Sequence, residues 1–318
     1  MQIDSLKLTN FRAFSELEIE FSPNFNILVG DNMTGKTSIL EALSIATASF
    51  FLGIDGVDTR HIQKEDIRLQ FFGENKEYQI PVVVEADGQV NNETLSWKRE
   101  LNNAKGRTTY IYAKNIKKIA STLQKKVRQG KEVVDLPLIA YFPVAADIKT
   151  AELSQLDIYN FGSRLSAYQS ALNATQNYKN FALWFKTISI ANVQDPIHRG
   201  KLEIINQAIQ QCFEECEKIT FDMNFGEVVL ELCDQRKIPF SRLSSGFKKV
   251  MSIIVDLAFR CIRLNPHKGK EAFLTDGIVI IDEIDVHLHP SWQRKIVDNL
   301  KAIFPNVQFF VTTHSPHV

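Results

Sequence analysis

The 318-residue sequence predicts an α/β fold with a mixed sheet, and three observations carry that prediction. The stretch "GDNMTGKTS" stands between a short apolar run, "NFNILVG", and a segment with helical spacing. A late apolar run, "IVIIDEID", ends in adjacent acids. A further run, "NVQFFVTTHS", follows one helical segment later. Short apolar runs separated by helical patterns mark buried strands of α/β sheets.

The elements follow in order. "IDSLKLTNFRAFSELEIEF" alternates apolar and polar residues about a central turn, which predicts two paired strands. "KTSILEALSIATASFFL" spaces Ile39, Leu40, Leu43 and Ala46 as a helix. After Gly53, "EYQIPVVVEAD", "ETLSWKREL" and "RTTYIYAK" read as strands. "KNIKKIASTLQKKVRQGKE" carries seven Lys or Arg before its first acid, and "LPLIAYFPV" reads as a buried strand. The pattern is helical from about Arg164 to Lys218. "ITFDMNF" and "EVVLELCD" return to strand, and "RLSSGFKKVMSIIVDLAFR" reads as a turn opening a helix. No repeat of 20–50 residues and no sustained heptad pattern is visible.

Composition excludes several classes. Lys plus Arg and Asp plus Glu number 37 each, so no global field steers the chain toward nucleic acid or membrane. A nucleic-acid contact therefore requires a local patch. The run from Lys114 to Lys131 offers either a phosphate grip or an ordinary solvated helix face. No apolar run reaches membrane-spanning length, and "MQIDSLKLTN" lacks the regions of a secretory signal. Four cysteines, at 212, 216, 233 and 261, are too few for a disulfide scaffold and fit a reducing cytoplasm. Cys212 and Cys216 stand four apart on an expected helix, with no further ligands nearby to complete a metal site.

The residues that carry chemistry are few. Gly30, Gly35, Lys36 and Thr37 hold the Gly-four-residues-Gly-Lys-Thr spacing of a phosphate-binding loop. Backbone N–H groups from Asn32 to Thr37 at a helix N-terminus suit an anion, Lys36 reaches the β/γ-phosphates, and Thr37 offers a hydroxyl to Mg²⁺. Thr34 and Ser38 complete the ATP-binding set. Met33 occupies a position where many such loops carry glycine; a positive φ there would store roughly 1–3 kcal/mol. In "IVIIDE", Asp282 and Glu283 emerge at a strand's carboxyl end, where ligands bind in parallel sheets. Asp282 suits the Mg²⁺ shell and Glu283 a general base. An acid pair at a strand end is otherwise an ordinary solvated feature; the upstream loop gives it meaning. Ser244, Ser245 and Gly246 open a helix and suit either a phosphate or a plain N-cap. A lone strand-end histidine such as His314 is usually structural, but it stands one β-α-β step after the acid pair. His287 and His289 in "HLHP" read as residues leading a helix rather than as a metal pair.

These motifs in this order resemble the ATP-binding-cassette ATPases of the SMC and RecF type, over nearly the whole chain. "LKLTNFRAF" is similar to the family's opening strand, which implies that Arg12 lies near the nucleotide phosphates. "LSSG" resembles the signature motif, with Ser245 in place of its first glycine; "IVIIDE" resembles Walker B and "IDVHLHP" the D-loop region. His314 takes the place of the switch histidine, so the resemblance implies a catalytic set of Lys36, Glu283 and His314. Gln63 is the Q-loop candidate. The implied architecture is a two-lobed ABC ATPase head, a P-loop NTPase with an antiparallel β subdomain and a short helical insert instead of a long coiled coil. Residues 1–140 would form lobe I, 141–218 the insert and 219–318 lobe II.

The resemblance further implies a homodimer enclosing two ATP molecules between heads, with higher assembly left open. The segment "DEIDVHLHPSWQR" and the insert "YQSALNATQNYKNFALWF" narrow the likeness to compact anti-phage ATPases: PtuA of Septu and retron systems, and the overcoming-lysogenisation-defect and Gabija types. For the PtuA type the implied partner is an HNH nuclease. The alternatives are a RecF-like DNA-repair ATPase, or the ATPase part of a protein with a C-terminal TOPRIM nuclease.

Overall fold

A computed structural model of the chain describes residues 1–130, 133–144, 162–173, 178–192, 197–316 and 318. Two compact units emerge, each assembled from separate segments. The first comprises Met1–Tyr141, Asp276–Ile284 and Val307–His314; the second comprises Phe142–Thr275, Asp285–Asn306 and Ser315–Val318.

The first unit contains two four-stranded sheets. In one, β1 (Gln2–Phe11) and β2 (Phe14–Glu20) pair antiparallel with Phe11 opposite Phe14, as the alternating sequence predicts. β6 (Val82–Val90) and β7 (Glu93–Leu101) extend the order to β2-β1-β6-β7. Val82, Val84, Ala86 and Val90 turn one face of β6 into the core at the two-residue period of a strand. The other sheet runs β3 (Phe25–Val29), β13 (Val307–Thr313), β12 (Gly277–Ile281), β8 (Leu138–Phe142), with β3, β13 and β12 parallel. β8, β12 and β13 are buried throughout, which is why they read as continuous apolar runs.

Specific polar contacts join these layers. The Gln308 side chain accepts the Ile3 N–H at 2.8 Å and donates to the Ile3 carbonyl at 2.7 Å, linking β13 to β1. Helix α1 (Lys36–Thr47) packs against β1, β6, β7, β12 and β13, and the Trp97 indole N–H donates to the Ala46 carbonyl at 2.9 Å. Helix α2 (Lys114–Gln129) packs on the 3₁₀ turn Phe50–Gly53. A Cβ at Gly53 would stand 2.3 Å from the Lys117 carbonyl, so only glycine allows that approach. β4 (Leu69–Phe72) and β5 (Asn75–Tyr78) form a separate hairpin.

The segment "RTTYIYAK" is not the expected strand. It makes a single bridge, Thr109 to Glu100, and then a 3₁₀ turn at Ile111–Ala113 that leads into α2. Tyr110, Ile111 and Tyr112 are all exposed, so no buried face rewards extending the ladder.

The second unit is built around α5 (Ser245–Leu264), twenty residues long and buried along most of its length. It packs against α3 (Tyr178–Ala191), α4 (Ile197–Cys212) and the 3₁₀ segments at 164–168 and 266–274. A three-stranded antiparallel sheet, β9 (Cys216–Asp222), β10 (Glu227–Leu232) and β11 (Lys237–Pro239), and α6 (Pro290–Ile303) complete it. Trp184 meets Phe259 edge-on at 5.1 Å, and Tyr168, Trp184 and Phe185 are all core residues. Within α5, Arg260 and Asp256 form a buried ion pair at 2.7 Å, and the guanidinium also donates to the Ala167 carbonyl. The helical pattern ends earlier than expected: α4 stops at Cys212 and Cys216 opens β9, so these cysteines do not share a helix face. Part of the "YQSALNATQNYKNFALWF" reading, residues 174–177, lies outside the described residues. No described helix is long and apolar enough to cross a membrane.

Candidate active site

Three parallel strands of the first unit end on one edge. The registers Val29–Thr313 and Ile281–Val311 bring the ends of β3, β12 and β13 together. The chain continues from them into Gly30, into Asp282–Glu283 and into His314, so residues about 250 positions apart converge because the strands are parallel. Ala13, Asn32, Met33, Thr34, Gly35, Lys36, Thr37, Ser38, Asp282, Glu283 and His314 line a cleft of about 340 Å³ there.

The loop before α1 is shaped by its glycines and by Lys36. Gly35 is the N-cap at φ 90°, and a Cβ on it would stand 2.5 Å from Phe14 Cζ. Glycine is required there on both counts. Met33 also has positive φ, 67°, with a fully exposed side chain, so the loop carries a strained non-glycine residue at its tip. The Thr34 hydroxyl donates to the Asp31 carbonyl at 2.9 Å. Lys36 is buried and its Nζ donates to the carbonyls of Gly30 (2.6 Å) and Asp31 (2.7 Å). No side chain caps α1 and its first turn holds no acid, which leaves the N-terminal amides available to an anion.

The opposite wall is set by β12 and β13. Asp282 is buried, and its Oδ1 accepts the Thr312 hydroxyl. The same hydroxyl oxygen accepts the Glu283 N–H at 2.7 Å. Asp282 Oδ2 is buried without a hydrogen-bond partner. A buried carboxylate oxygen without a donor, in a cleft that also presents the exposed Thr37 hydroxyl, fits the all-oxygen ligand preference of Mg²⁺. Glu283 has φ 50°, and its Oε1 stands 4.0 Å from His314 Nε2.

Behind the loop, Glu41 lies one helical turn after Thr37. It accepts the Tyr141 hydroxyl at 3.0 Å and is ion-paired with Arg60. Burial, followed by the charges of Glu41 and Asp282, drives the Tyr141 pKa far up, so this phenol remains a donor. Glu41, Tyr141 and Thr312 are contributors that motif reading missed. Glu41 alone had a sequence signal, its i+4 spacing from Thr37 on α1.

Other expected residues stand elsewhere. Arg12 does not line the cleft; Ala13 does. The Arg12 guanidinium holds Asp66 Oδ1 through Nε at 2.8 Å and Nη2 at 2.7 Å, and its backbone N–H donates to the Asp66 carbonyl. One side of the guanidinium is thus fixed on a buried carboxylate. Gln63 caps the 3₁₀ turn Lys64–Asp66 and is likewise absent from the lining. Ser244, Ser245 and Gly246 belong to the second unit. Ser244 Oγ accepts the Phe247 N–H at 3.4 Å as N-cap of α5, and a Cβ on Gly246 would stand 2.1 Å from the His287 carbonyl. His289 Nδ1 accepts the Ser291 N–H at 3.3 Å as N-cap of α6, the helix-leading role expected of it.

The chain is similar to several known proteins. A retron Vc95 probable ATPase of Vibrio cholerae is 24% identical over 100% of this chain and 71% of its own length. The Septu protein PtuA of Bacillus thuringiensis is 25% identical over 99% of this chain and 72% of its own. Among solved structures, an Smc head domain with an extended coiled coil, bound to the C-terminal domain of ScpA from Pyrococcus furiosus, aligns with TM-score 0.56 at 15% identity. That alignment covers 99% of this chain and 90% of the other, and shows the head fold. The family model described as "AAA ATPase domain" matches residues 1–318 throughout. The chain therefore belongs to the AAA ATPase domain family, is an ATPase, and has the fold of SMC head domains.

Proposed function

We propose that the cleft binds ATP and Mg²⁺, and that hydrolysis there operates a dimeric switch serving anti-phage defence. The observation that carries the reading is the orphaned Asp282 Oδ2 in the cleft lined by Lys36, Thr37 and Glu283. Amides of residues 32–37 and the side chains of Thr34 and Ser38 cradle the phosphates. Lys36 exchanges the Gly30 and Asp31 carbonyls for β/γ-phosphate oxygens, a stronger charge-assisted contact. Thr37 and Asp282 would hold Mg²⁺, which would supply neutralisation of phosphate charge. Glu283 accepts a proton from the water that attacks the γ-phosphorus; the bond to the β-phosphate oxygen breaks and ADP leaves. His314, 4.0 Å from Glu283, orients that carboxylate and senses the γ-phosphate.

In this reading the chain forms a two-lobed head with a helical insert at 141–218. Ser244, Ser245 and Gly246 of a second copy complete the site, so bound ATP joins two heads and hydrolysis releases them. The relatives named as a retron ATPase and as Septu protein PtuA support a defence role; the partner this proposal assigns is a separate HNH nuclease.

The test combines hydrolysis with light scattering. Wild-type protein turns over ATP only with Mg²⁺. Glu283→Gln loses turnover by about 10²-fold or more and accumulates as an ATP-bound dimer. Protein that neither binds ATP nor changes its assembly with it overturns the proposal. A Glu283→Gln protein with unchanged assembly identifies a static scaffold instead of a switch.

A further inference from the structure

The first unit carries a second chemical surface, separate from the cleft residues. Of sixteen residues in α2, Lys114, Lys117, Lys118, Lys125, Lys126 and Arg128 are basic and none is acidic. Ile116, Ile119, Ala120 and Leu123 face the core. Lys114, Lys118 and Lys125, four and seven apart, share an exposed stripe. The turn that leads into α2 exposes Tyr110 to 51% and Tyr112 to 55%. Each ring has a cation near it: Lys117 Nζ is 5.2 Å from the Tyr110 centroid and Lys98 Nζ is 4.2 Å from that of Tyr112.

The acids nearby localise the charge. Arg128 is paired with Asp55, and Lys118 and Lys126 share a groove with Glu93 and Asp135. Glu100 stands 3.7 Å from Lys98. Lys114 and Lys117 add positive charge at the Tyr110–Lys118 end, where the two exposed rings are.

Cations attract a phosphate backbone, and exposed aromatic faces are stacking platforms for unpaired bases. A duplex keeps its base faces hidden, so exposed rings beside cations favour a single strand over a duplex. We propose that this surface binds single-stranded nucleic acid. Lys98, Lys114, Lys117 and Lys118 contact phosphates, and Tyr110 and Tyr112 stack on bases.

Fluorescence anisotropy with a labelled oligo-dT of about 15 nucleotides tests this, without added nucleotide, so that an inactive cleft does not affect the result. The slope of log affinity against log salt should fall by about 2 in Lys114→Glu/Lys117→Glu/Lys118→Glu. Tyr110→Ala/Tyr112→Ala should weaken binding about tenfold or more with the slope retained. A duplex of the same length should bind more weakly than the single strand. Unchanged melting temperatures verify that both variants fold, and should either fail to fold, Lys118→Gln and Tyr112→Leu replace them. Absence of oligo-dT binding, wild-type affinity in both variants, or equal affinity for duplex overturns the proposal. So does retention on phosphatidylserine vesicles with none on oligo-dT.

Discussion

The Thr312 hydroxyl donates to Oδ1 of Asp282, and its oxygen also accepts the backbone N–H of Glu283. One side chain on β13 thereby holds the two acids that end β12 in a fixed relation and leaves Asp282 Oδ2 facing no donor. Thr312→Val keeps the shape of the side chain and removes both bonds. Destabilisation of about 1–3 kcal/mol is expected in denaturant unfolding, because buried groups lose their partners. The Mg²⁺ concentration for half-maximal turnover should rise with it, whereas a merely structural role would leave that concentration unmoved.

The two positive-φ residues of the phosphate loop should respond in opposite ways. Met33 at φ 67° points its side chain into solvent, so Met33→Gly removes strain without removing a contact. Nucleotide affinity should stay within about threefold, since relief of strain and the greater chain entropy of glycine nearly offset. Gly35→Ala places a methyl 2.5 Å from Phe14 Cζ at φ 90°, and ATP affinity by calorimetry should fall more than about tenfold.

Gly246 meets the His287 carbonyl in the second unit, where an added Cβ would approach to 2.1 Å. Gly246→Ala should destabilise by about 1–3 kcal/mol through forced backbone movement. Gly269→Ala is the comparison, because no atom stands within 4 Å of a Cβ there; its cost comes from φ 52° alone and should be smaller.

Alkaline pH should weaken the second unit. Burial pushes the Cys212 thiol up to about 12, Cys216 to about 11 and Cys261 to about 12, from an ordinary 9.0. The unfolded chain therefore releases these protons first, and stability present below pH 9 is lost as pH rises toward 12. Each thiol should contribute a loss of about 1.4 kcal/mol between roughly pH 8 and 10. Unfolding under reducing conditions checks this, with Cys261→Ala expected to flatten the slope by one thiol's share. Stability that holds level or rises over that range would contradict the assignment.

The strand–loop–helix at 25–47, the acid pair after β12 and the histidine after β13 were legible because each depends on local periodicity. A two-residue alternation or a continuous apolar run sets a strand, a 3.6-residue stripe sets a helix, and glycine marks the turn between them. The "RTTYIYAK" segment misled the same reasoning, since strand propensity is realised only where a partner strand and a buried face exist. The surroundings of Arg12 were not legible in the same way. The resemblance of its strand says nothing of Asp66, 54 residues away, which pairs with its guanidinium.

By itself the sequence determined the phosphate loop, the acids at a strand end and the order of the elements, because those rest on chain-local stereochemistry. Only the tertiary structure decided that β3, β12 and β13 end in register on one edge, that Thr312 clamps Asp282, and that Tyr141 and Arg60 converge on Glu41. Those relations join residues roughly 20 to 300 positions apart, and their energy comes from desolvated hydrogen bonds and buried charge that exist only once the sheet has closed.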